Sequence, residues 1–167
     1  MLTRARSGVT RFHHELLGPD RPLGTLDMPE SLPYATRPGT RAPEGACVTI
    51  TLPGDRLRIE YDVARSGWIA TDLRFRLVRD LEELASADGN RREWKVSAGP
   101  DAWTFRNRSN LLRVRFELLR DERPVGEIAE ASLWAWVRRD FRLDLPEALP
   151  DGVRAFLYFL AWSSAIH

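Results

Sequence analysis

Apolar and polar residues alternate along several stretches of the chain. The cleanest is LRVRFEL at 112–118, where Leu112, Val114, Phe116 and Leu118 fall on one side and Arg113, Arg115 and Glu117 on the other. A period of two marks a strand with one buried face. LRIEYDV at 57–63 sets Leu57, Ile59, Tyr61 and Val63 against Arg58, Glu60 and Asp62, and LRFRL at 73–77 sets Leu73, Phe75 and Leu77 against Arg74 and Arg76. EWKVSA (93–98) and AWTFRN (102–107) predict two more strands, joined by a short turn at Gly99, Pro100 and Asp101. DLEELASADGN (80–90) opens like a helical turn through Leu81 and Leu84 but runs into Asp88, Gly89 and Asn90, and the pattern predicts a loop.

ELLGPDRPLGTL (15–26) and ELLRDERPVGEI (117–128) share six of twelve positions at an offset of 102 residues. In each, an apolar pair (Leu16 and Leu17, or Leu118 and Leu119) ends a strand. Three variable residues and an Arg-Pro follow (Arg21 and Pro22, or Arg123 and Pro124), then an apolar residue, a glycine (Gly24 or Gly126) and a last apolar residue (Leu26 or Ile128). The unit reads as a repeated strand–turn–strand hairpin, although any hairpin with a polar turn shares part of the pattern. The glycine, between two inward-facing apolar positions, marks a bulge or a close backbone approach.

Seven prolines between 18 and 54 (Pro19, Pro22, Pro29, Pro33, Pro38, Pro43 and Pro53) exclude a long helix there. PDGVRAFLYFLAWSSAIH (150–167) predicts one, with Asp151 in its first turn and only apolar residues from Ala155 to Ala161. That run is far shorter than the roughly 20 residues that cross a bilayer, and Arg154 closes it on one side, so burial in protein is expected. A hairpin-built sheet whose one long helix is apolar all round must wrap that helix. The expected fold is therefore mainly β, an antiparallel barrel around a central hydrophobic C-terminal α-helix. A single domain would span residues 1–167, with a proline-rich, loop-containing stretch at 27–46.

The hairpin pattern, together with RRDFRLDLPEALPDGVRAFLYFLAW at 138–162, resembles the superfamily of LURP-one-related proteins, phospholipid scramblases and tubby C-terminal domains. The resemblance implies a tubby-like barrel around a central hydrophobic helix. It is specific in the two hairpins and over residues 112–167, and weak between 30 and 105. Scramblases also carry a cysteine cluster and a calcium-binding segment with no counterpart here, so calcium-activated lipid movement is not carried over. Tubby domains bind phosphoinositide headgroups through paired basic residues on the barrel wall, but those positions do not align here residue by residue.

Composition changes this picture little. With 43% apolar residues, six Trp and seven Phe, the chain has the makings of a packed core. A net charge of +1, from 25 basic and 24 acidic residues, provides no global pull toward nucleic acid or acidic lipid, so any anion site must be a local patch. All basic residues but Lys95 are arginines, which are planar, bidentate donors. Cys47 is the lone cysteine and forms neither an internal disulfide nor a thiolate cage. The first residues never reach the apolar core of a signal peptide, so the expected location is cytoplasmic, with peripheral attachment at a membrane as the alternative if the arginine face binds lipid.

Chemistry is scarce. No glycine-rich phosphate loop, GxSxG elbow or HExxH pair occurs. His13 and His14, as neighbours, point to opposite faces of a strand, one on the surface and one packed, which suits no shared metal. The acidic pairs Glu82 with Glu83 and Glu127 with Glu130 fall on turns and a strand, where solvation is the plain account. No catalytic residue, metal or cofactor is assigned, and the residues weigh against an enzyme. Trp134 and Trp136 share a face beside Arg138, where core packing outweighs stacking on a base or a lipid.

Arg74, Arg76, Arg113 and Arg115 are the candidate anion-binding residues. If their strands lie side by side, four guanidiniums form one plate suited to phosphate. Cross-strand pairing with Glu60, Asp62 and Glu117 is the plainer account of the same faces. The leading expectation is a non-enzymatic binding or scaffold module that touches an anionic membrane lipid or a protein partner through this arginine face, with no transmembrane segment. The alternatives are a carrier of a lipid-like apolar molecule in a helix-grip cavity and, last, a nucleic-acid binder.

Overall fold

The computed structural model describes residues 1–7, 12–29, 47–66, 71–110, 113–131 and 139–165. Within them lie strands β1 (Arg4–Ser7), β2 (His13–Leu17), β3 (Pro22–Asp27), β4 (Val48–Leu52), β5 (Asp55–Ser66) and β6 (Thr71–Arg79). There follow β7 (Glu82–Gly89), β8 (Glu93–Ala98), β9 (Asp101–Asn107), β10 (Arg115–Arg120), β11 (Arg123–Glu130), β12 (Asp140–Asp144) and helix α1 (Asp151–Ala165). Each strand pairs antiparallel with its neighbours in sequence, and β12 returns to pair with β1, opposing Phe141 to Ala5, so the sheet closes into a barrel. Alternation decides which side chains point in. Leu57 and Ile59, then Leu73, Phe75 and Leu77, and Phe116 and Leu118 all face the core, while Arg58, Arg74 and Arg76 between them face solvent.

DLEELASADGN is not a loop. It forms β7, paired to β6 through Phe75 with Ala87 and Leu77 with Ala85, and to β8 through Ala87 with Val96. The inward positions are alanines, weak strand formers that leave room for the helix, so pairing on both edges overrides local preference.

The two repeated hairpins are β2–β3 and β10–β11, and they share a defect. Leu16 opposes Gly24 but Leu17 opposes Pro22, and Leu118 opposes Gly126 but Leu119 opposes Pro124, so Leu23 and Val125 are the extra residues of matching bulges. Both glycines admit a carbonyl from the next strand. A Cβ on Gly24 would collide with the Thr51 oxygen, and one on Gly126 would lie 2.7 Å from the Asp144 oxygen. The expectation of inward apolar positions on both sides of the glycine needs correcting. Leu26 and Ile128 are fully buried, but the bulge turns Val125 outward to 38% exposure. The repetition also stops at the hairpin, because the 102-residue offset that matches β2–β3 to β10–β11 sets β4–β5 against α1.

α1 fills the barrel. From Gly152 to Trp162 every residue is buried, and its side chains meet strands on opposite sides of the ring. Tyr158 packs edge-on against Phe141 of β12, Phe159 against Phe75 of β6, and Trp94 of β8 donates to the Ser164 hydroxyl at 3.1 Å. Burying each such Phe or Leu contributes about 1.5–3 kcal/mol.

Arg154 does not end the apolar run at the surface. It is wholly buried, donating from Nε to the Leu149 carbonyl (2.9 Å), from Nη1 to Leu2 (3.1 Å) and from Nη2 to Leu145 (3.2 Å) and Pro146 (2.5 Å). One side chain thus ties the lead into β1, the linker after β12 and the first turn of α1. Burial lowers its pKa from the ordinary guanidinium value, with Asp151 and Glu147 opposing. No described helix is long and apolar enough to cross a membrane.

Candidate functional site

The four candidate arginines are not brought together. β7, β8 and β9 stand between β6 and β10 in the barrel order, so Arg74 and Arg76 form no plate with Arg115, and Arg113 lies outside the strand. Their charges are mostly answered locally. Arg76 donates to Glu60 (3.1 Å), Arg74 lies 3.8 Å from Asp88, and Arg115 bridges Glu127 (2.8 Å) and Glu117 (3.5 Å). Of the four, Arg113 alone has no carboxylate among the described residues, and it donates to the Glu130 carbonyl at 3.2 Å.

Because neighbouring strands run antiparallel, the connections alternate between the two ends of the barrel. One end collects the tight turns at 53–54, 80–81, 99–100 and 121–122, the turn at 18–21 and the linker at 145–150. Asp121 (φ 50°) and Glu122 (φ 60°) show how tight these are, since both central residues of the β10–β11 turn are left-handed. This turn end is acidic. Among the described residues Asp20, Asp121 and Glu147 find no salt-bridge partner, and Asp80 and Glu82 flank an Arg79 that Asp55 already holds.

The other end carries the connections after β1, β3, β5, β7, β9 and β11. Among the described residues there, each carboxylate is taken: Asp27 by His13 (2.5 Å), Glu93 by Arg106 (2.8 Å) and Lys95 (3.1 Å), Glu130 by Arg139 (3.0 Å) and Asp140 by Arg6 (2.7 Å). Arg106 and Lys95 hold the Glu93 carboxyl below its ordinary pKa. Arg92 and Arg113 are left without a carboxylate partner among the described residues.

The two connections that bear these arginines are stitched together. Asn107 donates its backbone N–H to the Arg92 carbonyl (2.8 Å) and its side-chain amide to the Arg91 carbonyl (3.0 Å), while its side-chain oxygen accepts from Ser109 N–H (2.8 Å). Asn90 closes the first connection by accepting from Arg92 N–H at 2.9 Å. Arg91, Arg92, Arg108 and Arg113 therefore project from braced loops at one end of β7–β10. Alternation singled out Arg113 but could not have found Arg91, Arg92 or Arg108, because they lie between strands; the paired Arg91 and Arg92 after a turn signal was the available clue.

His13 is half-exposed beside Asp27, whereas His14 is buried, with Nδ1 2.6 Å from the Tyr158 hydroxyl and its ring edge-on to Trp162. Desolvation pushes the Tyr158 pKa well up, which keeps the phenol neutral. Among the described residues no cluster of His, Cys, Asp and Glu is placed to hold a metal. Trp134, Trp136, Arg138 and the stretch 30–46 lie outside the described residues. Set against protein-family models, curated proteins and solved structures, the chain matches none.

Proposed function

We propose that this protein is a non-enzymatic binding module that attaches to anionic phospholipid through its arginine-bearing end, with Arg92 and Arg113 as the principal contacts and Arg91 and Arg108 beside them. The observation that carries this reading is the polarity of the barrel. Carboxylates are in surplus at the turn end, while the opposite end presents arginines with every described carboxylate already engaged. Such a molecule orients in the field of an anionic surface, and guanidiniums on braced loops suit bidentate phosphate capture. Each arginine near such a surface adds about 1 kcal/mol. Membership of the LURP-one-related, scramblase and tubby superfamily is part of the proposal, and the closed barrel around a central helix supports it.

Flotation with phosphatidylserine vesicles tests it. Wild-type protein floats at low salt and is released as salt rises. Arg92→Glu with Arg113→Glu abolishes flotation, whereas Arg74→Glu with Arg76→Glu reduces it little. Equal binding to neutral phosphatidylcholine, or equal loss in the two double variants, would contradict the assignment.

A further inference from the structure

The turn end contains a half-open cleft of about 760 Å3, within the range typical of small-ligand sites. It lies where α1 begins below the rim, so the linker at 145–150 and the hairpin turns wall a space the helix does not fill. Leu23, Leu52, Leu84, Trp103, Leu149 and Val153 line it, and the β2–β3 bulge is what places Leu23 there.

The charged groups of the wall are not equivalent. Asp55 accepts from Arg79 Nε at 3.1 Å and from Nη2 at 2.5 Å. Asp101 accepts from Arg120 at 2.7 Å, and that guanidinium also lies over the Trp103 ring, 5.4 Å from its centroid. Asp151 accepts Leu2 N–H at 2.6 Å. Arg21 also lines the cleft and has no partner among the described residues.

We infer that this cleft binds a small amphiphile with an unbranched apolar tail and a carboxylate head, the tail against the leucines and Trp103 and the head on Arg21. The cation is the one charge of the wall left to answer, and a guanidinium matches a carboxylate bidentately. The site goes beyond the phospholipid reading and sits at the opposite end of the barrel, so either can fail alone.

Titration calorimetry with sodium decanoate below its micellar range tests the inference. Wild-type protein takes up one equivalent saturably. Arg21→Gln, on an exposed turn, weakens binding about tenfold, and Leu84→Trp, which fills the cleft, weakens it at least as much. The Arg92→Glu, Arg113→Glu variant binds decanoate as wild type does. No saturable uptake at millimolar decanoate, undiminished binding in both cleft variants, or equal affinity for decyltrimethylammonium would overturn the assignment.

Discussion

The two ends of the barrel solve different problems. At the turn end, glycine, proline and acidic turn residues reverse the chain in as few as two residues, two glycine bulges let adjacent carbonyls approach, and buried Arg154 gathers four backbone carbonyls. At the other end the connections lengthen, and those after β7 and β9 hold arginines on hydrogen-bonded loops. The lesson is a division of labour. One end closes the barrel and anchors the helix, which leaves the other free to vary in the way that functional loops on a rigid scaffold do.

That comparison can be broken at graded points. Phe156→Asp has the largest expected effect: an unpaired charge among residues with no exposure leaves no folded barrel, seen as loss of the cooperative transition in circular dichroism. Arg154→Leu strips the Leu2, Leu145, Pro146 and Leu149 carbonyls of their donor and should cost about 2–4 kcal/mol in denaturant melts. Gly24→Val and Gly126→Val should each lose about 1–3 kcal/mol, Gly24 more, because its Cβ collides harder with a neighbouring carbonyl. At the other end, Arg92→Ala should change stability by less than about 0.5 kcal/mol while weakening vesicle binding. A stability loss there matching that of Arg154→Leu would erase the distinction between the ends.

Much of the architecture was legible in the residues. Strands whose inward positions are Leu, Ile, Val and Phe announce themselves, and a helix apolar on every side requires a wrapping sheet, as Phe156 to Leu160 inside the closed barrel demonstrate. β7 was hidden because its inward Ala85 and Ala87 carry little apolar signal, and its identity as a strand comes from β6 and β8. The buried role of Arg154 was hidden for a related reason. A charge in an apolar run looks like a boundary until the linker folds back and turns its carbonyls inward.

The arginine site was only half visible. Alternation identifies Arg74, Arg76 and Arg115 as outward-facing, but which carboxylates answer them depends on strand neighbours that no local pattern encodes. Arg113 was found by that route although it belongs to a connection. Arg92 was missed because its significance lies in what is not beside it.

Hydrogen–deuterium exchange with and without phosphatidylserine vesicles tests the two-ended account most directly. The account predicts new protection in the connections around 90–92 and 108–110, with the turns at 80–81 and 121–122 unchanged. Protection centred on those turns, or none at either end, would contradict it.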